Sequence, residues 1–313
     1  MRKVIAIGET VLDIIFRNNQ PIQAVPGGSA FNAIISLGRT GIPTMFIGEA
    51  GNDRVGQTIK DYLSENGVDA TNVNMFPDSK SPISLAFLDD DNNAEYIFYK
   101  DHQHDQLDFV YPEVNPEDIV LFGSFFAINP VVRPQVFGFL DYDRHHCAIL
   151  YYVVNYRSSH RGDLMKVTPN LLENYELADI VRGSEEDFEI MYRKTDCDSI
   201  YRSEISFYTK KFIYTRGAKP VDVRSDGGFA KQYAVTPTKT VSTVGAGDNF
   251  NAGFIYGLIK YGIVRADMER GLTEEQWDQL MGCAQAFSDN CCQSLNNSID
   301  TDFAKKMHFN LNQ

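Results

Sequence analysis

The chain has 313 residues, 43% of them hydrophobic and 23% charged, which suits one large α/β domain and excludes a disordered or fibrous protein. A formal net charge of −13 excludes nucleic acid and anionic membrane as partners, since both carry the same sign. The cysteines Cys147, Cys197, Cys283, Cys291 and Cys292 form no CxxC pair, the first apolar run stops at Gly8, and no stretch reaches membrane-span length, so a cytoplasmic protein with free thiols is expected.

Six apolar runs, unbroken but for Asp179, do not alternate: residues 4–7, 45–47, 119–122, 148–154, 178–181 and 212–214. Such runs, bounded by polar residues, predict strands buried on both faces. Helical patterns lie between some of them. Residues 29–37 carry Phe31, Ile34, Ile35 and Leu37 on an apolar face, and residues 248–259 carry Phe250, Phe254, Ile255, Leu258 and Ile259. The alternation predicts an α/β fold with a mostly parallel central sheet flanked by helices, and ligands beyond the C-terminal strand ends. Two stretches break this rhythm. Residues 11–16 and 21–25 flank a polar turn, and residues 83–88 and 96–99 flank the acidic stretch DDDNNAE. Both read as antiparallel ribbons. They predict a small β-sheet lid, from about residues 11–26 and 82–101, on a single domain spanning 1–313.

The strongest chemical signal is Gly245-Ala246-Gly247-Asp248 at the head of the second helical pattern. Small residues let a backbone turn approach a ligand closely, and a helix start offers amide donors and partial positive charge. That is an anion site of the kind phosphoryl transfer needs. A carboxylate beside it makes sense as a base that takes a proton from an attacking hydroxyl. Gly27, Gly28 and Asn32 open the first helix in the same manner, and Asn32 offers a donor and an acceptor to sugar hydroxyls. GEAGNDRVG, residues 48–56, is a third glycine-rich turn. Taken singly, each segment is equally well read as a loop followed by a capped helix.

Taken together they resemble the ribokinase-like (PfkB) carbohydrate kinases, over roughly residues 3–295. The matching pieces are Gly8-Glu9 with Asp13, then Gly27, Gly28 and Asn32, then Gly48, Gly51, Asp53 and Gly56, then Gly245 to Asp248. The resemblance implies an ATP-dependent phosphotransferase with an alcohol acceptor. It assigns Asp248 as base, the amides of Gly245, Ala246 and Gly247 as anion hole, and Asp13, Gly27, Gly28 and Asn32 to the sugar. It places Phe98 and Lys100 of the lid, with Arg157, on the sugar as well. Ser184, Thr215, Gly217, Lys219 and Asn290 fall to the nucleotide, and Asp187 reaches Mg²⁺ through water. Mg²⁺ with ATP is the implied cofactor, and a homodimer through the lid the implied assembly.

The sequence departs from the family at several points. Val153-Val154-Asn155-Tyr156-Arg157 keeps only Asn155 and Arg157 of Asp-Pro-Asn-x-Arg. Ser242 replaces an Asp that helps hold a monovalent cation in many relatives, which counts against K⁺. Ser184 and Asp187 replace Asn and Glu in the metal motif, and the Gly-Ala pair near the last helix is absent. The stretch YIFYK, residues 96–100, is similar to the Phe-Tyr-Arg stretch of fructokinases and 2-keto-3-deoxygluconate kinases. A fructokinase-like enzyme is the first expectation, 2-keto-3-deoxygluconate kinase the second. A degenerate member that binds sugar or nucleotide without turnover is the third.

Overall fold

A strand of four apolar residues in a row has no face to give to water, so it must lie inside a covered sheet. That is how Val4, Ile5, Ala6 and Ile7 are found, each fully buried. The computed structural model describes residues 2–89, 94–100, 107–236 and 240–309. The fold is α/β, a central, mostly parallel sheet flanked by helices with a second small sheet. The chain divides into two compact units, Met1–Val110 with Thr238–Gly262 and Asp278–Gln313, and Tyr111–Pro237 with Ile263–Trp277.

The first unit begins with β1 (Val4–Ile7), β2 (Val11–Arg17), β3 (Gln20–Gly27), helix α1 (Ser29–Arg39), β4 (Thr44–Gly51) and α2 (Arg54–Glu65). It continues with β5 (Val68–Asp69), β6 (Val73–Phe76), β7 (Ile83–Leu88) and β8 (Ala94–Tyr99). Strands β1, β4 and β5 pair in parallel, and β6 also pairs with β4. The remaining strands form the small sheet, in the order β3-β2-β7-β8. Its two antiparallel ribbons are those expected, and they are joined by a parallel β2–β7 pairing. Asn18 and Asn19, both at positive φ, make the tight β2–β3 turn. Of the acidic turn between β7 and β8, residues 90–93 lie outside the described residues.

The second unit holds β9 (Ile119–Gly123), α3 (Ser124–Ile128), α4 (Arg133–His145), β10 (Ile149–Val153), α5 (Leu164–Leu177) and β11 (Ile180–Ser184). Then come α6 (Glu185–Tyr192), α7 (Cys197–Ile200), β12 (Phe212–Arg216), β13 (Lys219–Arg224) and β14 (Ala230–Tyr233). Strands β9 to β12 are parallel neighbours, and β13 and β14 extend the edge in antiparallel fashion. Helix α8 (Ala246–Lys260) belongs to the first unit, and α9 (Arg265–Arg270) to the second. Helix α10 (Glu274–Cys292) passes into the first unit at Asp278, where α11 (Thr301–Lys306) also lies.

Helices α1 and α8 pack on one another in the first unit. Gly253 of α8 lets that helix meet α10, since a Cβ there would crowd the backbone around Cys283 and Ala284. Two other glycines have opposite consequences. Gly245 has φ 77°, and a Cβ on it would sit 2.7 Å from Asn297 O. Gly282 lies inside α10 with nothing within 4 Å of its would-be Cβ. We predict that Gly245→Ala lowers stability by about 1–3 kcal/mol, while Gly282→Ala raises it by about 0.5–1 kcal/mol. Chemical denaturation of the two variants checks this, and equal effects of the two substitutions would contradict the backbone assignment at Gly245.

Candidate active site

Helix α8 starts from a left-handed residue, Gly245, and carries Asp248 in its first turn. Helix α1 starts from Gly28, at φ 127°, and carries Ser29 and Asn32. These two helix starts meet at one carboxylate. Ser29 Oγ donates to Asp248 Oδ1 at 2.6 Å, and Asn32 Nδ2 donates to Oδ2 at 2.8 Å. The amide ends of both helices add partial positive charge around Asp248. Within the α8 turn, the Ala246 amide donates back to Thr243 O at 3.2 Å. Asn32 is 5% exposed, and its Oδ1 is buried without a partner. A buried acceptor left open costs free energy until a donor arrives, and a sugar hydroxyl is such a donor.

Asp13 of β2 is 4% exposed. Its Oδ1 accepts from Ser84 Oγ of β7, and its Oδ2 accepts from Asn297 Nδ2 at 2.7 Å. A side chain on Gly27 would strike the Asp13 carboxylate, so glycine there is a packing requirement. Asn297 also ties this corner to the α8 turn. Its backbone oxygen accepts from Asn249 Nδ2 at 2.9 Å, and the same amide donates to Gly245 O at 2.8 Å. Asn249 Oδ1 in turn accepts from Ser36 Oγ of α1. The result is a buried polar network that ties Asp13, Gly245, the first turn of α8 and the later part of α1 at Ser36 into one arrangement.

A charged group lies at the C-terminal ends of β1 and β4. Lys100, just after β8, pairs with Glu9 and retains 43% side-chain exposure. Thr10 Oγ1 donates to Glu49 O at 2.7 Å, and Glu49 Oε2 is buried without a partner. Burial pushes the Glu49 carboxyl up to about 7, against the pull of Lys100 and with a smaller push from Glu9. The Glu9 carboxylate, with Glu49 adding to it, holds the Lys100 ammonium above its usual range. Phe98 is in register with Ser84 and so, across β7, with Asp13, which puts all three on one face of the small sheet. It stacks on Tyr96 with ring centroids 5.8 Å apart.

The residues expected at the nucleotide fall mostly in the second unit, at the C-terminal ends of β11 and β12. Ser184 and Thr215 are register partners on these parallel strands, and Arg182 Nη2 donates to Thr215 Oγ1 at 2.7 Å. Gly217, at φ 58°, makes the tight turn from β12 to β13, and Lys219 beyond it pairs with Glu185 at 3.2 Å. Asp187 is 3% exposed and serves as a cap. Its Oδ2 accepts from Ser184 N at 2.6 Å and its Oδ1 from Tyr156 N at 2.7 Å. A water-bridged metal would have to use the lone pairs those amides leave. Asn155, at φ 42°, donates to Ser124 Oγ at 2.7 Å, and the adjacent Arg157 is exposed. Asn290, in the first unit, donates to Asp300 Oδ2 and accepts from Asp300 N at 2.9 Å, so it fixes the start of α11.

The structure thus brings Asp248, Asn32, Gly28, Gly27 and Asp13 together in the first unit, and Ser184, Asp187, Thr215, Gly217 and Lys219 in the second. Ser29, Ser84, Asn249 and Asn297 are essential to the first group and were not singled out from the sequence. Ser29 and Asn249 sit one residue from named motif residues, which is a signal that was there to use. Asn297 lies in SLNNS, which reads only as a loop. The Cys291 thiol is fully buried, is pushed well above its usual range by burial, and donates to Val244 O at 3.5 Å, which makes it a packing group.

Comparison with known proteins places the chain in a family. The model of the pfkB family carbohydrate kinases matches residues 1–296. The 5-dehydro-2-deoxygluconokinase of Geobacillus kaustophilus (strain HTA426) is 28% identical over 264 residues, covering 78% of this chain and 76% of that protein. The 5-dehydro-2-deoxygluconokinase of Bacillus thuringiensis (strain Al Hakam) is 25% identical over 278 residues and covers 82% of each. Among solved structures, a double mutant of the Vibrio cholerae O395 fructokinase, with fructose, ADP and potassium ion bound, has a TM-score of 0.80 at 20% identity. It covers 95% of this chain and 94% of that one. The aminoimidazole riboside kinase of Salmonella enterica, with aminoimidazole riboside and an ATP analogue, has a TM-score of 0.79 at 18% identity, covering 98% and 99%. The family match spans nearly the whole chain and both glycine-rich turns, so the protein belongs to the pfkB family of carbohydrate kinases and is a phosphotransferase acting on a sugar hydroxyl.

Proposed function

We propose that the enzyme is fructokinase-like and transfers the γ-phosphate of ATP, supplied with Mg²⁺, to a primary hydroxyl of a small neutral sugar, such as that at C6 of fructose. The observation that carries this reading is the Asp248 carboxylate, held at the α8 start by Ser29 and Asn32. A hydroxyl already donates to Oδ1 at 2.6 Å, that of Ser29, and a sugar hydroxyl would use the remaining lone pairs of the same carboxylate. Asp248 then takes the proton as the hydroxyl attacks. The helix start and the amides of the Gly245, Ala246 and Gly247 turn steady the charge on the transferring group, with the Ala246 amide exchanging Thr243 O for the phosphate. Asn32 Oδ1 and Asp13 orient the sugar, with Phe98, Lys100 and Arg157 as its further contacts. Ser184, Thr215, Gly217 and Lys219 are assigned to the nucleotide, and Asp187 to holding their loop. We assign no potassium dependence, because Ser242 carries no charge and its Oγ accepts from Val244 N at 3.1 Å.

A sugar acid is the second reading, favoured by the names of the Geobacillus and Bacillus relatives. Five free thiols and the absence, among the described residues, of any helix long and apolar enough to cross a membrane support a cytoplasmic assignment. Assembly through the lid is supported by its outer face. Leu12, Ile14, Ile83 and Leu85 lie there in register with Tyr99, 55% exposed, and Ile97, 43% exposed. An apolar sheet face of this kind favours a partner, and a second copy gives a self-complementary one.

Two outcomes follow. Asp248→Asn should lower kcat by about 10²–10⁴ with a much smaller change in sugar KM, read in a coupled ADP-release assay over neutral sugars and sugar acids. Comparable kcat would remove the base assignment, and thermal stabilisation by ligands without ADP release would mark a binding protein. Leu85→Asp should convert a particle of twice the chain mass into a single chain in sedimentation velocity, and a wild-type monomer would contradict the lid assembly.

A further inference from the structure

A cation near a sugar motif ordinarily invites an acidic sugar, but Lys100 is already compensated. It pairs with Glu9, and Glu49 lies close enough to pull on the same charge. Glu9 leaves β1 beside the start of α1, since a side chain on Gly28 would strike Glu9 O. Strands β1 and β4 run in register through Ile7 and Ile47, so Glu9 and Glu49 follow at the same strand pole. The other arginines of this unit near its core are committed elsewhere. Arg2 donates to Leu258 O, Arg17 to Val241 O, and Arg39 to Ile299 O. A carboxylate brought to this corner would meet a cation whose charge is spent and two acidic groups beside it. Glu49 adds a second discrimination. Its buried Oε2 has no partner, and once ionised, above its raised value of about 7, the carboxylate accepts only. A sugar hydroxyl can donate to it, whereas the carboxylate of a sugar acid cannot.

We propose that Glu9 and Glu49, acting on Lys100, are specificity-determining residues that make this kinase select neutral sugars and reject sugar acids. The selection works by repulsion as well as by fit, since it leaves the wrong substrate facing like charge. It rests on the kinase reading above, and it sets this chain apart from what the names of its 5-dehydro-2-deoxygluconokinase relatives describe.

The test measures kcat/KM by ADP release at pH 9, well above the raised Glu49 carboxyl, for a panel of neutral hexoses and pentoses. The same assay is run with 2-keto-3-deoxygluconate and 5-dehydro-2-deoxygluconate. The wild type should favour its best neutral sugar over either acid by about tenfold or more. Glu9→Gln/Glu49→Gln should raise the acid-to-neutral ratio at least about tenfold by uncovering Lys100, and Lys100→Met in that background should reverse the gain. The isosteric Glu49→Gln alone should shift the ratio in the same direction, which keeps the test decisive if the double variant unfolds. A wild type that prefers an acid, or a ratio that does not move in Glu49→Gln, overturns the proposal. ADP release with no acceptor of either class would instead overturn the kinase reading itself.

Discussion

Two helices of the first unit begin at one shared carboxylate. Asp248 sits where two helices begin, and each helix contributes a donor or an electrostatic pull to it. Helix starts tolerate an acid, since the macrodipole favours negative charge there, and the same dipole makes the place attractive to phosphate. On the reading proposed above, both demands are met when the carboxylate is held aside, facing the acceptor rather than the anion. Ser29 and Asn32 supply that restraint. The glycines are the steric side of the same problem. Gly28 allows α1 to start against Glu9 O, and Gly245 allows α8 to start against Asn297 O.

The restraint is only as good as the scaffold behind it. Asp13, Asn297, Asn249 and Ser36 form a continuous buried network from the small sheet to the start of α8 and the later part of α1. Such groups contribute modestly when satisfied, about 0.5–1.5 kcal/mol each, yet stranding one costs about 1–3 kcal/mol. The network therefore resists partial rearrangement more than it adds stability. Two buried atoms beside it are open, Asn32 Oδ1 and Asn297 Oδ1, and each belongs to a side chain that holds Asp248 or Asp13. Ligand hydroxyls would complete the accounting.

Much of the fold was legible because local physics dictated it. Runs such as VIAI and ILYYV exclude water from both faces, and β1 and β10 lie where those runs fall. The polar turns marked β2 and β7 as ribbon strands, and each has one buried and one partly exposed face. The parallel joining of β2 to β7 was not legible, because it pairs residues about seventy apart with no local signature. The antiparallel edge was missed too. KPVDVR in β13 mixes charge and apolar residues as a two-faced edge does, and it lacks the dense apolar run of its neighbours. At the site, glycine-rich turns announced the helix starts, but their partners arrive from afar, Asn297 lying 284 residues from Asp13. Asp187 shows the opposite case. The pattern Ser184-x-x-Asp187 is itself a capping box, and the structure uses both side chains that way, with Tyr156 N added.

On the kinase reading, the Asp248 carboxylate meets an acceptor hydroxyl at the mouth of α8. A crystal structure with fructose and a non-hydrolysable ATP analogue tests it most directly. A sugar hydroxyl should lie within hydrogen-bond reach of Asp248, roughly 2.6–3.2 Å, and in line with the terminal phosphorus of the nucleotide. A sugar bound with every hydroxyl out of reach of that carboxylate, while the phosphates lie elsewhere than the α8 start, would contradict it.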